Sequence, residues 1–278
     1  MSAAFQKNKA QRDHVFLRFF VWDFWDIINT IMIDTHAHLQ FPDFQDDLEA
    51  VLARNRQKNI TCINVGTDFA SSKAAVEMAQ MHGGLWAAIG LHPTDVDEDL
   101  DVEKYRALAQ SRKVVAIGEI GLDYLRSPLK EKQKSIFLEQ ADLAKELELP
   151  LIIHCRMAHE DMLAILKEKG ERETLKGVIH CFTGTLEEAQ KYIDLGFYLG
   201  MNGIMFKFNL DEVIKNVSLE HLLLETDCPY LTPPAAPSKR NEPIFMEYTA
   251  RKIANLKNIS AEEVVKKTTQ NARNLFKL

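Results

Sequence analysis

Cysteine is scarce in this chain. It contributes four of 278 residues, Cys62, Cys155, Cys181 and Cys228, and no two of them form a CxxC pair. A chain of this length can bury a large core and does not need disulfides to stabilise it. The cysteine pattern therefore excludes a disulfide-stapled domain, and it predicts free thiols in a protein of the reducing cytoplasm.

The sequence also lacks an apolar run long enough to cross a bilayer, which takes roughly 20 residues. Its most aromatic stretch, HVFLRFFVWDFWDIINT, is interrupted by Arg18, Asp23 and Asp26 and has no small-residue cleavage site. We therefore predict that residues 1–31 are an N-terminal extension. They are either a translated leader ahead of a start at Met32 or a helix lying at a membrane interface. We favour the leader, because the residues from Met32 onward open a complete domain.

An excess of positive charge is missing as well. Lysine and arginine number 34 against 40 aspartates and glutamates, which gives a formal net charge of −6. Such a chain has no general attraction for nucleic acid or for an anionic membrane. Any phosphate-bearing substrate would have to be held locally, by metal ions or by a few well-placed cations.

From residue 32 to residue 278, short apolar runs alternate with longer amphipathic segments. The runs are rich in Ile, Val and Leu and do not alternate with polar residues, which is typical of strands buried on both faces of a parallel sheet. They cover residues 31–36, 60–66, 85–93, 113–123, 149–156, 176–182, 196–203 and 221–227. Eight strands alternating with helices predict an α/β fold, a single-domain (β/α)8 TIM barrel.

Histidine and carboxylate residues stand where these predicted strands end. They are His36 and His38 on the first strand, then His92, Glu119, His154, His180 and Asp227. The carboxyl ends of barrel strands share one rim, where the active sites of such barrels are found. Residues scattered over almost two hundred positions are therefore expected to converge on one pocket.

The His-x-His spacing has a mechanical reason. Side chains two residues apart on a strand point the same way, so His36 and His38 can reach one metal ion, with Asp227 completing its ligands. Glu119 could bridge to a second ion held by His154 and His180. Imidazole and carboxylate donors suit Zn²⁺, Mn²⁺ or Fe²⁺ and fit Mg²⁺ less well.

Three cysteines directly follow proposed ligands, namely Cys155, Cys181 and Cys228. Neighbouring residues on a strand face opposite ways, so these thiols are expected to point away from the metals and into the surrounding core. His14, His82, His159 and His221 have no strand-end position and are interpreted as surface or packing residues.

Six motifs, taken in order, carry a resemblance to a known family: DTHAHL, GLHP, GEIGLDY, IIHCR, HCFTG and LLLETDCPYL. Together they resemble the TatD family of metal-dependent deoxyribonucleases, within the amidohydrolase superfamily, from about Met32 to Leu278. The resemblance implies a TIM barrel, two divalent metal ions of uncertain identity (Mg, Mn or Zn) and hydrolysis of phosphodiester bonds. The expected activity is chiefly 3′–5′ exonuclease action on DNA, on single-stranded 3′ ends. Some members are also linked to hydrolysis of D-aminoacyl-tRNA esters.

The same resemblance assigns the six metal ligands that the strand-end argument selects, and it makes His92 a phosphate contact. Arg126 and Arg156 are candidates to hold substrate phosphates, or else arginines in ion pairs at the rim. Lys239 and Arg240 are further candidates, in the loop after the eighth strand. That loop keeps KRNEP but carries APS where the family usually has His-Arg-Gly, so one expected cation is missing.

The mechanism expected from these residues is hydrolysis by a metal-activated water, with Asp227 accepting its proton and Glu119 bridging the metals. Two alternatives stay open. One is an amidohydrolase-type enzyme that acts on another ester or an amide. The other is a non-catalytic barrel that binds metal. No obligatory protein partner is inferred.

Overall fold

The structure, a computed structural model, describes residues 31–97, 100–170 and 175–278. Nearly all of the predicted N-terminal extension, residues 1–30, lies outside the described residues. Among the described helices, none is both long enough and apolar enough to cross a membrane.

Eight parallel strands form one sheet in chain order, which confirms the predicted barrel. They are β1 (Met32–Ala37), β2 (Ile60–Val65), β3 (Leu85–Ile89), β4 (Val114–Asp123), β5 (Leu151–Arg156), β6 (Gly177–Ile179), β7 (Phe197–Met201) and β8 (Leu222–Leu224).

Helices follow the strands and cover the outside of the sheet. They are α1 (Leu48–Gln57), α2 (Phe69–Met81), α3 (Val102–Leu108), α4 (Lys130–Glu146), α5 (His159–Gly170), α6 (Leu186–Asp194), α7 (Asp211–Asn216), α8 (Met246–Lys257) and α9 (Ala261–Phe276). Four short 3-10 helices cover Pro42–Phe44, Gly203–Phe206, Leu219–His221 and Pro243–Phe245.

Side-chain caps fix where several of these helices begin. Asp68 and Ser71 form a capping box at the start of α2, and Thr185 forms one with Glu188 at the start of α6. Each cap satisfies backbone N–H groups that the first turn of a helix leaves without partners. Helix α6 therefore starts directly after the loop that carries His180.

Backbone hydrogen bonds beyond the end of β8 close the barrel against β1. The Asp227 N–H donates to the carbonyl of His36 at 2.8 Å, and the His38 N–H donates to the carbonyl of Cys228 at 2.9 Å. The first and last motifs of the chain thus become direct neighbours. This closure brings the His-x-His pair to the carboxylate of the eighth strand.

The core has two layers, as the two-sided burial of the strands predicts. One cluster fills the barrel itself with side chains from its strands, and the end of α9 joins that cluster at its base. Its members are Ile33, Ile63, Val65, Ala88, Val115, Ala116, Ile152, Val178 and Leu223, with Ala272, Leu275 and Phe276 from α9. A larger cluster lies between the strands and the helices.

Four predicted strand ends need correction. Glu119 does not end β4, which continues to Asp123, and the pairing register of β4 with β5 shifts between Ile117 and Ile120. An extra residue of this kind bends a strand and re-aims one side chain, here the carboxylate of Glu119. In addition, β3, β6 and β8 end early, so His92, His180 and Asp227 lie beyond their strands.

Candidate metal centre

Four side chains converge where β1 ends. The Nε2 atoms of His36 and His38 lie 3.1 Å apart. Glu119 Oε2 lies 3.4 Å from His36 Nε2, and Asp227 Oδ1 lies 3.4 Å from His38 Nε2. Nitrogen and oxygen donors from three distant stretches of sequence therefore point at one small volume.

A second group surrounds the other oxygen of Glu119. Its Oε1 atom lies 2.8 Å from His154 Nδ1, 3.5 Å from His92 Nε2 and 3.8 Å from His180 Nε2. The two oxygens of Glu119 thus face different sets of imidazoles. All seven residues predicted at strand ends meet in this single cluster.

The two carboxylates at the centre are charged despite being buried. Burial alone would raise the pKa of Glu119, but His92 and His36 hold it well below its ordinary value. Burial likewise opposes ionisation of Asp227, and the hydrogen bond with His38 and the charge of His180 lower its pKa. Both groups are therefore anionic near neutral pH and available as ligands or bases.

The two stacked imidazoles of the centre differ in proton affinity. The rings of His36 and His180 lie 3.5 Å apart between centroids. Burial and the neighbouring charge of His180 lower the pKa of His36 to about 4. Burial opposes the charged form of His180 too, but Glu225 and Glu119 raise its pKa to about 10. In the metal-free protein the positive charge therefore resides on His180.

Asp123 is a functional candidate that the sequence reasoning missed. It is fully buried at the end of β4, and its Oδ2 lies 3.0 Å from His154 Nε2. The imidazole of His154 is therefore held on one side by Asp123 and on the other by Glu119. A carboxylate in this position orients a histidine ligand and raises its basicity. The signal was present in the motif GEIGLDY, whose last acid stands on the same strand as Glu119.

Glu225 plays the equivalent part beside His180 and was also missed. Its Oε1 lies 2.9 Å from His180 Nδ1, but the two atoms do not form an aligned hydrogen bond. Among the described residues, His180 Nδ1 and Glu225 Oε2 have no hydrogen-bond partner. Oε1 accepts from Asn202 Nδ2 instead, at 2.9 Å. A Cβ at Gly200 would lie 2.3 Å from Glu225 Oε2, so only glycine leaves room for this carboxylate. Glu225 stands two residues before Asp227, and residues at that spacing on an extended segment point the same way, so the sequence could have indicated Glu225.

Asp34 ties β1 to the segment that follows β8. Its carboxylate accepts from the Thr226 N–H at 2.9 Å and from the Thr226 hydroxyl at 2.6 Å. Burial raises the pKa of Asp34 to about 7, although both hydrogen bonds favour the anion. Asp34 therefore positions the two segments that carry His36 and Asp227, and period-two spacing from His36 could have identified it.

The prediction that all three cysteines point away from the metals is wrong for Cys181. Its sulfur lies within 4.8 Å of ligand atoms of His180 and Asp227. The chain has already left β6, and Cys181 has a φ of 48°, so strand alternation no longer applies. Cys155 and Cys228 are buried as predicted.

The four predicted phosphate-binding cations separate into two kinds. Arg156 ends β5, while Arg126 and Lys239 lie in the loops after β4 and β8, and no ion pair holds their charged groups within the described part of the chain. Arg240 differs, because its guanidinium binds both oxygens of Asp47 at 2.7 and 2.8 Å and Glu242 at 2.9 Å. Arg240 is therefore not a free cation for phosphate, and it anchors the loop instead.

Residues 33–277 match the family described as TatD related DNase. The chain belongs to this family. It is a metal-dependent hydrolase of the TatD family, and the resemblance carried by the six motifs is confirmed.

The relatives are described as hydrolases or exonucleases, so their names differ in how specific an activity they give. The chain is 43% identical to the Bacillus subtilis protein YabD, described as an uncharacterized metal-dependent hydrolase, covering 89% of this chain and 100% of that protein. It is 37% identical to the 3′-5′ ssDNA/RNA exonuclease TatD of Pantoea ananatis, again over 89% of this chain and 100% of the relative. The TatD homologue YJJV of Escherichia coli K12 has a solved structure that superposes with a TM-score of 0.82. That homologue is 32% identical, with 89% of this chain and 98% of the other covered.

The TatD-family chain has donors that fit divalent metal ions. In each of three groups, the imidazole nitrogens and carboxylate oxygens lie within 4.8 Å of one another. The groups are His36, His38 and Glu119; His92, Glu119 and His154; and His36, His180 and Glu225. Two bare imidazole nitrogens facing each other at 3.1 Å, as in His36 and His38, need a proton or a cation between them. Such a mixed donor set suits Zn²⁺ or Mn²⁺.

Proposed function

We propose that this TatD-family hydrolase is a 3′–5′ exodeoxyribonuclease that cleaves phosphodiester bonds at single-stranded 3′ ends. The observation that carries the proposal is the position of Glu119, whose two oxygens face two different sets of imidazoles at the open end of the barrel. A shared carboxylate of this kind suits a pair of metal ions, which is a common arrangement in nucleases. The exonuclease name of the Pantoea relative supports the same reaction.

Six residues would hold two divalent ions. His36, His38 and Asp227 would bind one ion, His154 and His180 the other, and Glu119 both. Mg²⁺, Mn²⁺ and Zn²⁺ are the candidates, and the four imidazoles favour Mn²⁺ or Zn²⁺. When bound, such ions activate water and neutralise the charge of a phosphate in the transition state.

The remaining chemistry belongs to the chain itself. Asp227 is anionic and sits at the mouth of the centre, so it can accept the proton that an attacking water loses. His92 would donate from Nε2 to a phosphate oxygen, because its Nδ1 accepts from the Thr94 N–H at 3.2 Å. Arg126, Arg156 and Lys239 would hold the phosphates that flank the cleaved bond.

The amidase branch of the superfamily has less support. Many of those enzymes bridge their metals with a carbamylated lysine on the fourth strand. In this chain Glu119 takes that place, and Lys113 lies at the opposite end of β4. Its Nζ donates to the carbonyl of Leu85 at 3.1 Å and sits 4.9 Å from the Trp86 ring centre. Lys113 therefore cannot reach the centre.

The test is digestion of a single-stranded oligonucleotide labelled at its 5′ end, with Mn²⁺, Mg²⁺ and Zn²⁺ in parallel. A 3′–5′ exonuclease gives a ladder of products that shortens one nucleotide at a time. The same preparation is offered a D-aminoacyl-tRNA as a competing substrate. Hydrolysis of the ester with no cleavage of the oligonucleotide would overturn the proposal in favour of the ester hydrolase.

We also propose that residues 32–278 are the whole catalytic domain and that the protein works in the cytoplasm. The family match from residue 33 to residue 277 and the four free cysteines support these statements. A chain that starts at Met32 should keep its melting temperature and activity. A fall of more than a few degrees would show that the extension packs on the barrel.

A further inference from the structure

Large apolar side chains are exposed mainly at one end of the barrel. Among residues 31–97, 100–170 and 175–278, four of the most exposed are Leu125 (60%), Met157 (74%), Phe208 (54%) and Tyr230 (53%). They follow β4, β5, β7 and β8, so all four lie in loops at the carboxyl ends of strands. Single exposed apolar residues are ordinary, but a group gathered around one site marks an interaction surface.

The four loops adjoin one another in two pairs. The Tyr124 N–H donates to the carbonyl of Arg156 at 3.0 Å, which joins the loops of Leu125 and Met157. A Cβ at Gly203 would lie 1.7 Å from the carbonyl oxygen of Leu231, which places the loop before Phe208 against that of Tyr230. One pair of loops therefore follows the strands of Glu119 and His154, and the other pair includes the segment that follows Asp227.

Tyr230 is the member of this surface nearest to the centre. Its ring lies 6.4 Å from the ring of His38 between centroids. Its N–H donates to the carbonyl of Asp227 at 2.9 Å, and its own carbonyl accepts from Asn241 Nδ2 at 2.7 Å. The backbone of Tyr230 is thus fixed on both sides while half of the side chain stays open to solvent. A preorganised aromatic ring loses little entropy when it binds a flat ligand.

Positive charge accompanies the apolar side chains. Arg126 adjoins Leu125, Arg156 adjoins Met157 and Lys207 adjoins Phe208, while Lys239 lies in the same loop as Tyr230. Apolar side chains, two of them aromatic, that lie beside cations match a strand whose bases are apolar on their faces and whose backbone is anionic. A second copy of this acidic chain would not present flat apolar bases along an anionic backbone. In a duplex the base faces are stacked inside and unavailable, so this surface favours an unpaired strand.

We propose that Tyr230 stacks on the base next to the scissile phosphate, and that Phe208, Leu125 and Met157 extend this contact to neighbouring unpaired bases. The proposal rests on the proposed nuclease function. These four side chains would then make the enzyme prefer single-stranded over double-stranded substrate, because the metal ligands contact only the phosphate.

The test compares two 3′-terminal nucleotides in one binding assay. A fluorescent single-stranded oligonucleotide with hydrolysis-resistant phosphorothioate linkages is prepared with an ordinary 3′ nucleotide or with an abasic one. Its Kd is measured by anisotropy with Mg²⁺ present. Stacking on an aromatic side chain corresponds to roughly a 5- to 150-fold change in affinity per base. Tyr230→Ala should weaken binding of the ordinary strand by about that factor and leave the abasic strand unchanged, whereas Tyr230→Phe should bind like the wild type.

Met81→Ala is the control, because Met81 is also an exposed apolar residue (73%) but lies at the carboxyl end of α2. It should change neither affinity. Equal weakening of both strands by Tyr230→Ala would overturn the stacking proposal, and so would unchanged Kd values for both strands. Phe208→Ala provides a second variant if Tyr230→Ala does not fold. Failure of the wild type to cleave any oligonucleotide would instead count against the nuclease function itself.

Discussion

Asp123 Oδ2 lies 3.0 Å from His154 Nε2, on the side of the imidazole away from Glu119. This contact fixes the ring so that its other nitrogen faces the centre. The register of β4 against β5 shifts beside Glu119, and Glu119 and Asp123 contact opposite sides of the His154 ring.

Removing the charge of Asp123 should weaken metal binding without changing the packing of the barrel core. Loss of such an outer carboxylate typically costs about 10- to 100-fold in metal affinity. Asp123→Asn should therefore raise the Kd for Mn²⁺ or Zn²⁺ by that factor in isothermal titration calorimetry. Asp142→Asn, at an exposed acid paired with Lys169, is the matched control and should bind metal normally. An unchanged Kd for Asp123→Asn would show that His154 does not need this orientation.

The Asp123–His154 pair should also make the stability of the metal-free protein depend on pH. Burial opposes the charge on Asp123, but the hydrogen bond with His154 lowers its pKa to about 2. Burial also opposes the charge on His154, but Asp123 and Glu119 raise its pKa. The stabilisation from Asp123 is complete above its unfolded pKa of about 4 and is lost toward pH 2. The stabilisation from His154 is complete below about 6.5 and is lost as the pH rises through its raised value.

The difference in melting temperature between wild type and Asp123→Asn, in excess chelator, should therefore be largest between about pH 4 and 6.5. It should shrink on either side of that window. A difference that stays constant from pH 3 to pH 9 would mean that the pair carries no net charge interaction in the folded protein.

The salt dependence of DNA binding should be weak. Each phosphate contact adds roughly 0.7 to the negative log–log slope for a single strand. Three cations are proposed to hold phosphates and have no ion pair within the described residues, namely Arg126, Arg156 and Lys239. We expect a slope of magnitude about 2, and Arg156→Gln should reduce it by about 0.7. Arg240→Gln should leave the slope unchanged and lower the melting temperature, because Arg240 binds Asp47 and Glu242. A slope several times larger would reveal a basic surface beyond these three residues.

Much of this molecule could be predicted from the sequence because its signals are local. Runs of Ile, Val and Leu at regular spacing are enough to predict eight parallel strands, and the position of each strand end is enough to gather seven polar residues at one rim. Both predictions depend only on patterns within one segment at a time.

The parts that escaped prediction depend on irregular backbone. The register of β4 shifts by one residue beside Glu119, and the left-handed φ of Cys181 turns its thiol toward the centre. The role of Arg240 was missed for another reason. Its partner Asp47 lies 193 positions away, so no local pattern connects the two residues.

The most direct test of the account is bound metal per chain measured beside single-turnover cleavage, for wild type, Glu119→Ala and Asp227→Asn. We expect two ions in the wild type, with cleavage abolished by chelator and restored by Mn²⁺. Glu119→Ala should lose metal and activity together, because both sets of imidazoles share its carboxylate. Asp227→Asn should keep nearly all of its metal, through the amide oxygen, and lose about 10²–10⁴-fold in rate, because the proton acceptor is gone. Full metal content in Glu119→Ala, or a near-normal rate in Asp227→Asn, would contradict the roles assigned to these two carboxylates.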